Sequence, residues 1–134
     1  MEHKKLEWFN KATREFGNCG FIAYFNGVPI GFIQYAPTKF FPRVEDYASG
    51  PPSEDAVFLA CLYISNKKAR GKGLGTAMLE NLVAELRKRG FKAVETFARK
   101  DSESNPSGPL GLYLKHNFKI KNNKDNFPLV RLEL

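Results

Sequence analysis

The sequence predicts a mixed α/β (α+β) domain whose sheet is antiparallel at its N-terminal end, has a central parallel pair, and carries helices on both faces. Three observations predict it. Two β-rich runs, Phe21 to Phe25 and Pro29 to Tyr35, flank Asn26-Gly27, a pair that tolerates positive φ and so reads as a tight antiparallel hairpin. The run Ala56 to Ile64, "AVFLACLYI", is almost wholly apolar and suits a central strand covered on both sides. From Ala56 to Ala98 the order is strand, glycine-rich loop, helix, strand, which implies a right-handed crossover between parallel strands.

In chain order, Glu2 to Phe16 reads as a helix, because Leu6, Phe9, Ala12, Thr13 and Phe16 recur at helical spacing and Gly17 stops it. The hairpin follows. "PTKFFPRVEDYASGPPSED" then has four prolines and no sustained period, and reads as a long loop of the kind that often serves function. After the central strand and the glycines, Leu74, Met78, Leu82 and Leu86 form one apolar helix stripe, joined by Leu79 and Val83. Lys88 and Arg89 suit the negative end of the helix dipole, and Gly90 fits the position after the cap. "FKAVETFA" is the second parallel strand. Leu110 to His116 is a short helix that Asn117 can end in a left-handed conformation, and "FKI" and "PLVRLEL" are closing strands.

The chain has 134 residues, enough for one domain spanning 1–134 and too few for two of ordinary size. Its 43% apolar content, with 12 Phe and 5 Tyr, is that of a globular core. No run reaches the length of a membrane span, and the N-terminus lacks the apolar core of a secretory signal, so a cytoplasmic location is expected, with no membrane partner. Cys19 and Cys61 stand far apart without CxxC spacing, and His3 and His116 are isolated, so no disulfide framework and no metal site are expected. The net charge of +7, from 21 Lys+Arg against 14 Asp+Glu, favours anionic partners without choosing among them. A nucleic-acid reader is not expected, since no recognition helix or RNP-like aromatic motif accompanies the charge.

The chemistry concentrates in "ARGKGLGT", Ala69 to Thr76, with three glycines in five residues. A P-loop would need Gly-Lys-Ser/Thr, whereas Lys72 precedes Gly73. A dinucleotide fingerprint would need Gly or Ala at 76, where Thr stands. A plain strand-to-helix turn would need one glycine. What remains is a cradle: Gly71, Gly73 and Gly75 let the first amides of the helix approach a diphosphate, and Arg70 and Lys72 add charge.

Read as [Q/R]xxGxG/A, Arg70-x-x-Gly73-x-Gly75 resembles the loop of the GNAT superfamily of acyl-CoA-dependent N-acyltransferases. The resemblance covers most of the chain and includes "SNPSGPLGLYLKHNF", which looks like that family's Asn followed by a helix ending in Y-x-K-x-G-F. Here Asn117 replaces the usual Gly, and the span from Asn105 to Tyr113 is one residue longer than the family's pattern. The resemblance implies transfer of an acetyl group from acetyl-CoA to a primary amine, of a small molecule or of a protein or peptide, by direct attack in a ternary complex. It implies that Arg70, Gly71, Lys72, Gly73, Leu74, Gly75 and Thr76 hold the pyrophosphate. Leu62, Tyr63 and Ile64 then pair with the pantetheine arm through their backbone, where the two parallel strands splay, and Asn105 and Lys115 contact the cofactor. Tyr113 becomes the general acid at the sulfur. The base is not fixed by the resemblance: Glu54 is put forward, with Asp55, Glu45, Asp46 and Glu95 as alternatives. The acceptor pocket falls to the N-terminal helix and the loop Phe40 to Asp55. Many relatives form dimers, which leaves a homodimer open. The alternative reading is an inactive acyl-CoA-binding sensor.

Overall fold

The computed structural model describes residues 2–65, 73–100 and 110–134. Among them, α1 (Glu2–Glu15) leads into the hairpin β1 (Gly20–Phe25) and β2 (Val28–Pro37). The central strand β3 (Ala56–Ile64), α2 (Leu74–Lys88), β4 (Ala93–Phe97), α3 (Leu110–Lys115), β5 (Lys119–Asn122) and β6 (Leu129–Glu133) follow. The strands form one sheet in the order β1-β2-β3-β4-β6-β5, in which only β3 and β4 run parallel. The expected hairpin turn is present, with φ of 49° at Asn26 and 78° at Gly27.

One face of the sheet is packed by α2 and α3. Met78, Leu79, Leu82 and Leu86 bury the stripe anticipated for α2 against Ile33, Tyr35, Val57, Leu59, Val94 and Val130, joined by Tyr113 and Phe118. Each such side chain contributes about 1.5–3 kcal/mol of burial. The opposite face carries Phe58, Phe97 and Leu129, which Phe41, Val44 and Phe127 cover. On the same side α1 lays Ala12 against Ala36 and Phe40, and Trp8 donates its indole N–H to the Phe40 carbonyl at 2.7 Å. Helices therefore flank both faces. The long loop is more ordered than its sequence suggested: it folds into two short 3-10 turns, Thr38–Phe40 and Pro42–Asp46, that plant its aromatics on the sheet.

Both later helices end in the same way. Gly90, at φ +82°, follows α2; Phe91 N–H reaches Leu86 O at 3.0 Å and Gly90 N–H reaches Arg87 O at 3.1 Å, the two bonds of a Schellman cap. After α3 the left-handed residue is Asn117, at φ 71°. Phe118 N–H reaches Tyr113 O at 3.1 Å, and the rings of Phe118 and Tyr113 meet edge-on at 5.1 Å, the apolar contact that accompanies such a cap.

A candidate active site at the parting of the parallel strands

The β3–β4 ladder holds for three residue pairs, Ala56↔Ala93, Val57↔Val94 and Phe58↔Glu95, and then stops, although both strands continue. Beyond Phe58, no described strand pairs with β3 on that side. A bulge coincides with the parting: Gln34 faces Cys61 and Tyr35 faces Leu59, so Ala60 is an extra residue on β3. Bulges bend the strand that carries them. The separation leaves the Leu59 carbonyl without a ladder partner, and the Thr96 hydroxyl fills the gap, donating to Leu59 O at 2.7 Å.

Tyr113 stands at the same point. It is fully buried, and its hydroxyl is hydrogen-bonded with that of Thr96. Thr96 has one proton and gives it to Leu59, so the Tyr113 hydroxyl is the donor in the shared bond. Burial pushes its pKa far above the ordinary phenol value of 10.0, so the proton stays on oxygen throughout the neutral range. Thr96 was not among the residues singled out from the sequence. Its signal is a hydroxyl at a core-facing position of an apolar strand, where a polar atom demands a partner.

The other end of the cleft is the start of α2. Gly73 is its N-cap at φ +83° and ψ 5°, with no side-chain cap and no acid in the first turn. A side chain at 73 would meet nothing within 4 Å, so glycine is required there by the dihedral and not by space. Gly75 sits differently, within the helix, where an added Cβ would lie 3.7 Å from Ile64 and from Leu112. This ties the end of β3, the start of α2 and α3 into one locality. Leu62 is buried in the core, Tyr63 stacks on Phe32 at 5.5 Å, Thr76 is half-buried and Lys115 is exposed. Arg70, Gly71, Lys72 and Asn105 lie outside the described residues. His116, isolated in sequence, is half-buried and braces the back of α3, with Nδ1 2.8 Å from Leu112 O and Nε2 3.7 Å from Glu80.

The carboxylates fall elsewhere. Glu54 is exposed in the turn before β3, at the end of the strand opposite to the parting. From the turn the strand runs about 10 Å from Ala56 to Leu59, away from Glu54. Asp46 is exposed on the loop. Glu95 is wholly buried and fully engaged: Ser53 N–H donates to it at 2.7 Å, Arg131 at 2.8 Å, and Lys121 lies at 3.3 Å. Burial raises its pKa, but these donors outweigh burial and hold it below the ordinary carboxylate value. Arg131 also binds Asp55 at 2.9 Å and Glu133 at 2.6 Å. The group is an ionic clasp across the closed end of β3, β4 and β6.

With this geometry in view, comparison with known proteins decides the family. The acetyltransferase (GNAT) family model matches residues 1–118. The chain belongs to that family. No curated protein sequence matches it. Among solved structures, the N-acetyltransferase of Staphylococcus aureus Mu50 matches with a TM-score of 0.67 and 18% identity, over 99% of this chain and 77% of that one. The PaiA N-acetyltransferase of Thermoplasma acidophilum, solved in complex with coenzyme A, gives 0.64 and 13%, over 98% and 70%. The ribosomal-protein-alanine N-acetyltransferase of Brucella melitensis gives 0.67 and 19%, over 98% and 78%. At these identities the likeness is one of fold. Within the GNAT fold of this chain, the parting of β3 from β4, the start of α2 and Tyr113 on α3 share one end of the parallel pair.

Proposed function

We propose that the protein transfers the acetyl group of acetyl-CoA to a primary amine by direct attack in a ternary complex. One observation carries the reading: the parallel strands separate immediately after Phe58↔Glu95, at the end where α2 begins with an uncapped N-terminus. The amides of Leu74, Gly75 and Thr76, with Gly73 and the flanking Arg70, Gly71 and Lys72, would hold the pyrophosphate, since unpaired helix-start amides and the dipole favour an anion. The pantetheine arm would lie along Leu62–Ile64, with Asn105 and Lys115 as further contacts. The thioester then falls near Leu59 and Ala60, beside Tyr113.

The neutral amine attacks the thioester carbon; the C–N bond forms, the C–S bond breaks, and the amine gives up a proton. As the sulfur departs, the Tyr113 hydroxyl proton would leave its bond to the Thr96 oxygen and pass to the sulfur. Glu54 can serve as base only through intervening water, given its distance from the parting. Replacing it tests that role: a tenfold or larger fall in kcat for Glu54→Gln at neutral pH supports it, and unchanged kcat removes it.

Release of free thiol from acetyl-CoA in the presence of an amine panel tests the proposal. Tyr113→Phe is expected to lower kcat by about 10²–10⁴ with the KM for acetyl-CoA little changed. Tight acetyl-CoA binding without turnover on any amine, and no effect of Tyr113→Phe on that binding, would instead describe an acyl-CoA sensor.

A further inference from the structure

We infer that the acceptor is a primary monoamine carrying an aromatic group close to the amine, and that Tyr47 selects it; the inference rests on the acetyl-transfer reading above. The face of the parting that carries α2 and α3 is filled by Leu59, Thr96 and Tyr113. The opposite face is where an acceptor can arrive, and there the last residue of β4, Phe97, follows Thr96 directly. Phe97 is almost fully buried and bridges to Phe58 of β3, ring centroids 5.8 Å apart. Tyr47 lies on it at 4.6 Å in a contact tilted by 31°, yet remains 47% exposed. One face of the Tyr47 ring is thus spent on Phe97, and the ring still presents surface to solvent beside the parting.

The ring is held in place. Ser49, two residues on, is wholly buried and bridges to the β5–β6 loop: it donates to Asp125 Oδ1 at 3.2 Å and accepts from Lys124 N–H at 2.9 Å. Asp125 in turn accepts from Phe127 N–H at 2.8 Å. Gly50 brings backbone against Phe97, since a Cβ there would lie 3.3 Å from the ring tip. A pre-positioned ring with a free face recognises another ring by stacking and a nearby ammonium through its π face.

The described charges favour a monoamine over a polyamine. A polyamine needs several free carboxylates, but among the described residues Glu95, Asp55 and Glu133 are taken by Arg131, Asp125 by the Ser49 bridge, and the exposed Glu54 stands at the closed end of the strands. Asp46, exposed beside Tyr47, is suited to one ammonium. The net charge of +7 further repels a polycation.

The test uses the full chain, acetyl-CoA binding by calorimetry, and thiol release with 2-phenylethylamine, n-propylamine, spermidine and the tripeptide Phe-Ala-Ala. The expected result is a kcat/KM for an aromatic amine at least tenfold above those for n-propylamine and spermidine. Tyr47→Ala should erase that preference by raising the amine KM at least fivefold, with the acetyl-CoA KM unchanged, and Tyr47→Phe should retain it. Whether 2-phenylethylamine or the peptide is preferred assigns the source of the ring, a small molecule or a protein terminus. The inference fails, with the acetyl-transfer reading intact, if n-propylamine or spermidine is used as well, or if the preference survives Tyr47→Ala. It also fails if acetyl-CoA binds and no aromatic amine is acetylated. Absence of acetyl-CoA binding brings down both.

Discussion

Thr96 decides what the parted strands can be. A buried carbonyl left unpaired costs about 1–3 kcal/mol, and the Thr96 hydroxyl removes that cost at Leu59 while fixing the hydroxyl of Tyr113. Thr96→Val is therefore expected to destabilise the fold by about 1–3 kcal/mol in denaturant melts and to lower kcat, because Tyr113 loses its orienting partner. At Gly73 the constraint is the backbone. With φ at +83°, Gly73→Ala should cost about 1–2 kcal/mol of stability and weaken CoA binding as the first amides of α2 turn away. Tyr113 makes a prediction in pH. Its folded value lies above the ordinary phenol value, so its proton is present over the whole neutral range. Activity should rise with pH as the acceptor amine loses its proton, with no downturn from Tyr113 below about pH 10. A downturn near neutrality that Tyr113→Phe abolishes would contradict this.

Between elements, the closed end of the parallel pair is held by charge as well as by ladder. Arg131 on β6 binds Glu95 on β4 and Asp55 just before β3, so the strands are gathered at one end and free to separate at the other. Glu95→Gln leaves the Arg131 charge short of its buried partner and should cost about 3 kcal/mol. The folded pKa values of Glu95 and Asp55 are depressed, so their contribution is present above the ordinary carboxylate range and lost as pH falls through the folded values. The melting temperature should decline in acid below about pH 4.5, and the decline should flatten in Glu95→Gln; an equal decline in both proteins would contradict the clasp. Elements of this kind were unequally legible. The Asn26-Gly27 turn, the α2 stripe, Gly90 and Asn117 announce themselves locally, because dihedral preference and 3.6-residue spacing need no distant partner. Tyr113 and the glycine run are singled out by resemblance. The Arg131 bonds to Glu95 and Asp55, the Thr96 plug and the Ser49 bridge join residues 36 to 76 positions apart, and nothing near any one of them names its partner. The order within the long loop is not legible in its sequence because it comes from Phe41 and Val44 packing on the sheet.

Across the whole molecule the sheet works as a hinge-shaped frame, tied at the N-terminal ends of β3 and β4 and open at their C-terminal ends. α2 and α3 occupy one side of the opening, and the aromatic loop borders the other. The positive net charge suits a multiply anionic cosubstrate, so CoA affinity should fall as salt is raised from about 0.05 to 0.5 M, over which screening shortens from well above 10 Å to a few Å. Backbone hydrogen–deuterium exchange with and without acetyl-CoA addresses the frame and its ligand together. We expect new protection at Leu74, Gly75 and Thr76 and along Leu62–Ile64, with the closed end at Ala56–Phe58 unchanged. Acetyl-CoA that leaves both segments exchanging as before, or protects residues remote from the parting, would contradict the account.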